Sequence, residues 1–319
     1  MAFFLGVDGG GTQTRALLVD LDATIIAEAK AGPSNINQVN TTILRRRLRE
    51  LCAEVLDSHE PVYACFGLAG SSAVTNQAKL RAMLDGIPNL HTDSTALCTD
   101  ADIALHGAFG GAPGLALIAG TGSICIGTTH STETIRIGGW APPSGDPGSG
   151  HSIGNVAIAT ALKQADGRSP KTGLLEVVFN HLQIQNLGQA TERVHTTGLT
   201  REKIAALCPK VCRSAEDGDI AAKEIVREAV SELSEMVQAA RNQYEEREVP
   251  LCLMGGILNT DTIIRRQLID QLPDLVSRTQ IQKPQLPAIG GAILRAYELY
   301  SKQPITRFAK RLSHQLASR

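Results

Sequence analysis

The stretch FLGVDGGGTQT, from Phe4 to Thr14, decides how the rest of the sequence is interpreted. It is an apolar run that ends in a carboxylate, Asp8, and is followed at once by three glycines. Glycine loses more conformational freedom on folding than any other residue, so three in succession need a geometric reason. The patterns at residues 3–7, 14–19 and 24–29 predict strands, and the glycines therefore form a turn that joins one strand to the next.

A glycine turn between two strands can present successive backbone N–H groups with no side chain in front of them, and such a concave row of donors binds phosphate oxygens. Thr12 adds a hydroxyl, and Asp8 is placed to hold a hydrated Mg²⁺ against the phosphates. Neither common strand-to-helix phosphate fingerprint occurs in the right context. The alternative is an ordinary tight hairpin with a surface aspartate, because glycine-rich hairpins are common turns.

The same design recurs at residues 115–123, LALIAGTGS, which lead into another predicted strand at 124–128. A third glycine turn, Gly255-Gly256, follows a short apolar strand at 251–254. Between the first two hairpins, strand and helix patterns alternate, which predicts a largely parallel sheet covered on both faces. These segments are helices at 41–56, 76–84 and 101–109 and strands at 62–66 and 96–99.

The repeated hairpin predicts a duplicated α/β fold with two lobes and a cleft between them. We expect an N-terminal lobe at 1–111, with the C-terminal segment as one way of completing it, and a C-terminal lobe at 112–319. The second lobe carries a helix-rich insertion at about 151–246. Its longest helix is predicted from Asp219 to Glu246, where apolar residues have the spacing of a helix with one buried face.

Composition excludes several classes of protein. The formal net charge is −1 and aromatic residues make up 3% of the chain, so neither a nucleic-acid surface nor a membrane surface is expected. The seven cysteines are an odd number and lie mostly in apolar segments, which predicts buried thiols in a reducing cytoplasm. Cys208 and Cys212 have the spacing of a metal-binding pair, but no second pair accompanies them, and a structural role is expected.

Together these motifs resemble the N-acetylglucosamine kinase family, which is grouped with the BadF/BcrA-type ATPases in the superfamily of sugar kinases, actin and Hsp70. VDGGGTQT resembles the first phosphate motif, IAGTGS the second, and LMGGIL the adenosine motif. GGWAPPSGDPGSGHSIG, residues 138–154, resembles the sugar-site segment, and LPAIGGAILRAY, residues 286–297, resembles the closing glycine-alanine helix. The motifs run in family order from residue 5 to about residue 297.

The resemblance implies a fold and an activity. The fold is a two-lobed, duplicated, actin-like (ribonuclease H-like) ATPase fold with a cleft between the lobes. The activity is phosphoryl transfer from ATP, with Mg²⁺, to a small-molecule amino sugar, and the first expectation is N-acetylglucosamine at its 6-hydroxyl. Glucosamine is the alternative within the family. An alternative of another class is an ATPase that activates a partner reductase through a shared iron–sulfur cluster, and a non-catalytic sugar sensor is a remoter one.

The resemblance also implies roles for individual residues. Asp100, where a predicted strand ends and a helix begins, is the general base for the sugar hydroxyl. Asp102 lies in the first turn of that helix, where an acid commonly stabilises the helix dipole, so a structural role is expected for it. The sugar is expected to be bound by Asn35, Asp100, Trp140, Ala141 and Asp146. The expected nucleotide contacts are Gly10, Gly11, Thr12, Gly120, Thr121, Gly122, Ala205, Gly255 and Gly256, with Asp8 on the metal.

The sequence departs from the family pattern at three positions. Gln13 stands where lysine is frequent, Ala141 where glycine is common, and Pro147 where glutamate or glutamine is common. The last of these leaves the amino sugar open among N-acetylglucosamine, glucosamine and N-acetylmuramic acid. The alternative to a sugar-binding role for Trp140 is that its ring is a buried part of the core.

The tail at 301–319 carries basic residues and an apolar stripe with helical spacing. We expect this stripe to pack on its own domain or on a subunit partner, and the second alternative keeps a homodimer among the expectations.

Overall fold

The structure, a computed structural model of the chain, describes residues 2–57, 62–131, 133–143, 145–195, 198–246, 248–275, 279–301 and 303–317. The chain divides into two compact units. Unit 1 consists of Met1–Pro113 together with Lys283–Arg319, and unit 2 of Gly114–Gln282.

The described residues form ten strands, twelve α-helices and one short 3₁₀-helix at Thr92–Ser94. The strands are β1 (Phe3–Gly9), β2 (Thr14–Val19), β3 (Ile25–Ala31), β4 (Val62–Leu68), β5 (Thr95–Cys98), β6 (Gly114–Ala119), β7 (Ser123–Thr128), β8 (Thr134–Gly138), β9 (Val249–Met254) and β10 (Thr279–Gln282). The helices are α1 (Thr41–Leu56), α2 (Val74–Leu84), α3 (Asp100–Ala108), α4 (Gly150–Ala165), α5 (Gly173–Leu182), α6 (Leu187–His195), α7 (Arg201–Ala205), α8 (Cys208–Glu216), α9 (Ile220–Arg241), α10 (Ile263–Leu275), α11 (Ala288–Tyr300) and α12 (Thr306–Ala317).

The two units contain sheets of the same topology. In unit 1 the strand order is β3-β2-β1-β4-β5, and in unit 2 it is β8-β7-β6-β9-β10. In each sheet, the first three strands in chain order form an antiparallel meander. The other two strands run parallel to the strand that begins the meander, which is β1 in unit 1 and β6 in unit 2. Both glycine turns therefore join antiparallel strands, as the sequence predicts. Because β1, β4 and β5 are parallel, their carboxyl ends meet at one edge of the sheet, and Asp8 lies at this edge.

Both faces of the unit 1 sheet are covered. Helix α1 buries a stripe of apolar side chains against β2 and β3, with Leu44, Leu48 and Leu51 at helical spacing. Burial of a leucine side chain contributes about 1.5–3 kcal/mol to stability. On the other face, α11 packs against β1, β4 and α3. A Cβ on Gly291 would lie 2.6 Å from the backbone nitrogen of Gly107, so glycine is needed where α11 and α3 approach each other.

The long helix of unit 2 is shorter than the sequence predicts. Asp219 caps its N-terminus, with its side chain accepting from the Ala222 amide, but the helix ends at Arg241 and not at Glu246. Beyond that point Tyr244 turns inward, and its hydroxyl donates to the carbonyl of Gly114 at 2.8 Å. The Arg241 guanidinium donates to carbonyls of the same segment, including that of Glu246. The tertiary hydrogen bond of Tyr244 and the local ones of Arg241 outweigh the helical pattern of the last residues.

The tail packs on its own unit. On α12 the side chains of Phe308 and Leu312 are buried in a cluster with Phe4, and the Phe308 ring stacks on Tyr297 at a centroid distance of 4.1 Å. The expectation that the apolar stripe covers its own domain is confirmed, while the homodimer stays a prediction. Among the described residues, no helix is long and apolar enough to cross a membrane.

Candidate active site

Two carboxylates lie at the carboxyl edge of the unit 1 sheet. Asp8 is the second-last residue of β1, and Asp100 is the first residue of α3, separated from the end of β5 by Thr99 alone. Burial and, to a smaller extent, the nearby Asp100 carboxylate together raise the pKa of Asp8 from 3.8 to about 6, while Arg15 acts in the opposite direction. Asp8 and Asp100 are therefore close enough to repel each other. Such a pair favours either a proton or a bound cation.

Asp102 has the structural role that the sequence predicts. Its Oδ2 accepts a hydrogen bond from the Thr99 amide at 2.9 Å, and the Thr99 hydroxyl accepts one from the Asp102 amide at 3.0 Å. This reciprocal arrangement is a capping box, which satisfies two backbone donors at the start of a helix. It fixes the turn on which Asp100 lies.

Asn35 lies in a loop that is bound to the ends of β1 and β4. The Ser34 amide donates to the Gly10 carbonyl at 3.0 Å, and the Ile36 amide donates to the Ala69 carbonyl at 3.4 Å. The Asn35 Oδ1 accepts from the Asn37 amide at 3.0 Å, which closes a local turn. The structure thus brings the Asn35 loop to the same edge as the first hairpin.

The first hairpin has an open turn. The Gly10 amide donates to the Gln13 carbonyl at 3.1 Å, and Thr12 at the tip is exposed. The Gln38 side chain lies beside the turn, because its Oε1 would be 3.0 Å from a Cβ on Gly11. Gln38 is a neighbour of the hairpin that the sequence analysis missed.

The second hairpin is braced by the start of α4. The Gly120 amide donates to the Gly122 carbonyl at 2.8 Å across the turn. From the start of α4, the Gly150 amide donates to the Gly120 carbonyl at 2.8 Å, and the His151 amide donates to the Thr121 carbonyl at 3.2 Å. Two orphan N–H groups of the helix terminus are satisfied in this way, and the hairpin is fixed to α4.

The other residues of unit 2 that are predicted to contact the nucleotide lie close to the second hairpin and the start of α4. The Gly256 nitrogen would lie 3.6 Å from a Cβ on Gly120. The Ala205 Cβ would lie 3.3 Å from a Cβ on Gly150. Gly255 has a φ of +89°, a conformation that glycine adopts at low cost. Residues that are far apart in the sequence are therefore neighbours at one end of the unit 2 sheet.

Trp140 is on the surface. It is 72% exposed, which excludes the core-aromatic interpretation. Arg136 organises the chain in front of it: the Arg136 Nη2 donates to the Gly139 carbonyl at 2.6 Å, and the guanidinium carbon lies 5.2 Å from the centre of the Trp140 ring. This geometry is a cation–π contact. Arg136 was not predicted from the sequence. Its place between two isoleucines, in a strand that ends in glycines, could have indicated a role in this loop.

Asp146 lies behind this loop, with both carboxylate oxygens bound by the protein. The residue is 3% exposed. Its Oδ1 accepts from the Ala141 amide at 3.2 Å, and its Oδ2 forms an ion pair with the Arg201 Nη2. Ala141 and Asp146 have φ values of +61° and +66°, which are costly for residues other than glycine. The frequent glycine at the position of Ala141 is explained by this conformation.

Arg201 is a further residue that the sequence analysis missed. It begins α7, far along the chain from the segment whose aspartate it binds. No local pattern marks an ion pair between residues so far apart, and only the fold brings them together.

The cysteines give no exposed ligand set. Six of the seven are buried and Cys98 is partly buried. Cys208 and Cys212 lie within α8, and the described residues contain no group of three or more histidine, cysteine or acidic side chains suited to a metal ion.

Comparison with known proteins gives consistent results. An N-acetylmuramic acid/N-acetylglucosamine kinase from Clostridium acetobutylicum is 32% identical over 266 residues, which cover 81% of this chain and 86% of the relative. A glucosamine kinase from Vibrio cholerae is 30% identical, over 93% of this chain and 96% of the relative. The solved structure of a candidate N-acetylglucosamine kinase from Chromobacterium violaceum superposes with a TM-score of 0.74 at 27% identity, covering 92% of this chain and 98% of that one.

These similarities confirm the α/β, actin-like sugar-kinase fold that the motifs predict. The sequence profile of the BadF/BadG/BcrA/BcrD ATPase family matches residues 5–296, nearly the whole chain. The chain belongs to the BadF/BadG/BcrA/BcrD ATPase family.

Proposed function

We propose that this protein is an ATP-dependent kinase that phosphorylates an amino sugar, with N-acetylglucosamine at its 6-hydroxyl as the first candidate and glucosamine or N-acetylmuramic acid as alternatives. The observation that carries the proposal is the pair of mutually repelling carboxylates, Asp8 and Asp100, beside a glycine hairpin. The names of the relatives support the substrate class. Phosphoryl transfer needs positioned phosphates, neutralised charge and an acceptor hydroxyl that can lose its proton.

Asp100 is the proposed general base. It lies on the first turn of α3, which the Thr99–Asp102 capping box holds in place. A carboxylate so fixed can accept the proton of the attacking hydroxyl as the new bond to phosphorus forms. Asn35 is proposed to bind a second sugar hydroxyl. Because its carbonyl oxygen already closes a turn, its side-chain N–H₂ group is the donor that it offers.

Asp8 is the proposed residue for Mg²⁺. The fit is chemical: a partly buried carboxylate whose pKa is raised to about 6 by burial and by Asp100 gains from a nearby dication. Mg²⁺ usually keeps several waters and is held by one or two carboxylates together with substrate phosphates, so a large ligand cluster is not required. When bound, the ion neutralises charge on the phosphates.

Unit 2 is proposed to hold the nucleotide through backbone groups. The Gly120 amide already donates to the Gly122 carbonyl, so the turn is proposed to present the N–H groups of Thr121 and Gly122 to phosphate oxygens. The first amides of α4 bind the carbonyls of Gly120 and Thr121. The turn at Gly255-Gly256 gives the adenosine access to the backbone. The corresponding residues of unit 1, from Gly10 to Thr12, are proposed to contact the phosphates in the same way.

Trp140 and Ala141 are proposed to contact the sugar. The exposed Trp140 ring can cover the apolar face of a pyranose, and Arg136 holds the chain that carries it. Asp146, predicted as a sugar ligand, is proposed to act in part by fixing the Ala141 amide.

A phosphate-acceptor screen tests the proposal. The purified chain is incubated with ATP and Mg²⁺ and, in separate reactions, with N-acetylglucosamine, glucosamine, N-acetylmuramic acid, glucose and N-acetylmannosamine. We expect ADP release that depends on an amino sugar, and a sugar phosphate ester in the product by mass spectrometry. ATP hydrolysis at the same rate without any sugar would contradict the proposal and favour the activator alternative.

A further inference from the structure

The ion pair between Arg201 and Asp146 joins two parts of unit 2 that are far apart in the sequence, the segment at 138–154 and α7. Asp146 belongs to the segment that carries Trp140 and Ala141, and Arg201 begins α7, whose last residue is Ala205. The pair is well shielded from water, with the Asp146 side chain 4% exposed and that of Arg201 27% exposed. Removing one partner of such a pair leaves an uncompensated charge, so the two side chains depend on each other.

One end of this pair contacts the second glycine hairpin. A Cβ on Gly122 would lie 2.6 Å from the Asp146 Oδ2 and would also collide with the Arg201 Nη2. The hairpin turn and the ion pair are therefore in direct contact. The Ser123 hydroxyl, at the start of β7, donates to the Pro147 carbonyl at 2.6 Å and adds a second link between the hairpin and the residues around Asp146.

The other end of the pair holds the Trp140–Ala141 loop. The Ala141 amide donates to the Asp146 Oδ1 at 3.2 Å. Both residues have left-handed backbone conformations, which are strained for residues other than glycine and persist only where the surroundings impose them. The hydrogen bond from Ala141 is part of what imposes them.

The surroundings of Arg201 leave it able to serve a second anion. A guanidinium has five N–H donors, and the bond to Asp146 is made by its Nη2. His151 on α4 is close enough to this ion pair to interact with both Arg201 and Asp146, and it also interacts with Glu202 on α7. Burial and Arg201 lower the pKa of His151, so the histidine is neutral at neutral pH and does not compete as a cation.

We infer that Arg201 is a positioning residue that couples nucleotide binding at the second hairpin to amino-sugar binding at the Trp140–Ala141 loop. Phosphate oxygens bound at Gly120–Gly122 place a new anion beside the guanidinium. The position of the guanidinium then fixes the Asp146 side chain, and Asp146 fixes the Ala141 amide. This inference rests on the proposed function, and it adds the prediction that the two ligands bind with positive cooperativity that depends on this ion pair. By linkage the coupling is reciprocal.

Calorimetry on the full chain tests the inference. N-acetylglucosamine is titrated into the protein with and without a non-hydrolysable ATP analogue and Mg²⁺. We expect the analogue to tighten sugar binding by at least about 5-fold in the unmodified protein, within the usual range of coupling. In Arg201→Gln this factor is expected to fall below about 2. Arg201→Lys keeps the charge without the planar fork and is expected to be intermediate.

Lys203→Gln is the matched control, because Lys203 is an exposed cation on the same helix. It is expected to keep the full coupling factor. If Arg201→Gln does not fold, Asp146→Asn takes its place, since its amide oxygen can still accept from Ala141 while the ion pair is lost. Thermal unfolding of each variant separates loss of coupling from loss of structure.

The outcomes separate this inference from the proposed function. A folded Arg201→Gln or Asp146→Asn protein with the coupling factor of the unmodified chain would overturn the inference and leave the kinase activity standing. The same holds if the unmodified chain phosphorylates the sugar but shows no coupling. If the unmodified chain neither binds nor phosphorylates an amino sugar, the proposed function fails and the inference fails with it.

Discussion

The two glycine hairpins share a topology but differ in the charges around them. The first follows Asp8, whose pKa is raised by burial and by a second carboxylate, Asp100. The second follows Ile118 and Ala119, and the buried carboxylate that it contacts, Asp146, is already neutralised by Arg201. Two carboxylates that repel each other are suited to taking up a proton or a cation, whereas an ion pair is suited to holding a loop. The two hairpins therefore have the same backbone topology but different charged groups around them.

Asp100→Asn tests the acidic half of this comparison and has the largest expected effect. Asparagine keeps the shape and one acceptor oxygen but cannot take up a proton. General-base catalysis typically contributes about 10²- to 10⁴-fold in rate, and we expect kcat to fall by this order with little change in ATP affinity. Steady-state kinetics with the acceptor from the screen measures both.

Asp102→Asn is the matched control for that variant. It removes the negative charge at the helix N-terminus but keeps an acceptor oxygen for the Thr99 amide. The free energy of unfolding should therefore fall by about 0.3–1 kcal/mol while most of the activity remains. Loss of turnover in Asp102→Asn together with normal turnover in Asp100→Asn would show that the base has been misassigned.

Asp8→Asn is expected to separate stability from activity. The folded pKa of about 6 lies above the ordinary 3.8, so the folded state holds this proton more tightly than the unfolded chain does. That stabilising contribution is complete below pH 3.8 and is lost as the pH rises through about 6. At pH 7.5, without metal, the variant should therefore be more stable by up to about 3 kcal/mol, yet inactive.

Urea unfolding at pH 5 and pH 7.5 in a chelator measures this gain, which should be smaller at pH 5. Asp93→Asn changes an exposed carboxylate of the same unit and should show no comparable difference. A less stable Asp8→Asn protein at pH 7.5 would mean that the carboxylate is structural and that the two hairpins do not differ in the way described.

Trp140→Ala tests the loop that the neutralised pair holds. Because the side chain is 72% exposed, its removal should leave the melting temperature nearly unchanged. Loss of a ring contact of about 0.5–1.5 kcal/mol should raise KM for the sugar about 2- to 12-fold while KM for ATP stays the same. Equal changes in both constants would place Trp140 outside the sugar site.

Ala141→Gly has the smallest expected effect. The φ of +61° is strained for alanine and easy for glycine, so the free energy of unfolding should rise by about 0.5–1 kcal/mol. Ala239→Gly, at an exposed position in α9, should instead cost about 1 kcal/mol. Opposite signs in urea unfolding support a strained loop, and equal losses would contradict it.

The sequence predicts what local patterns encode. The strand-to-strand glycine turns, the alternation of strands and helices, and the place of Asp100 at the start of α3 all follow from short-range periodicity and turn chemistry. The structural role of Asp102 follows from its place in the first helical turn. These features depend on neighbours in the chain, which one sequence displays.

The rest depends on contacts between distant residues. The Arg201–Asp146 pair, the support of Trp140 by Arg136 and the early end of α9 each require the fold before they can be identified. In the last case a helical pattern continues past Arg241, but a buried hydrogen bond from Tyr244 prevails over it.

Unit 1 is built from both ends of the chain, and this determines the order in which the protein can fold during synthesis. The face of its sheet that carries Phe4 and Leu17 is covered by residues of α11 and α12, which leave the ribosome after the whole of unit 2. Unit 2 is continuous and can complete its core earlier. The nascent chain therefore carries an uncovered apolar sheet face through most of translation, and chains arrested before residue 283 should be bound by chaperones or aggregate.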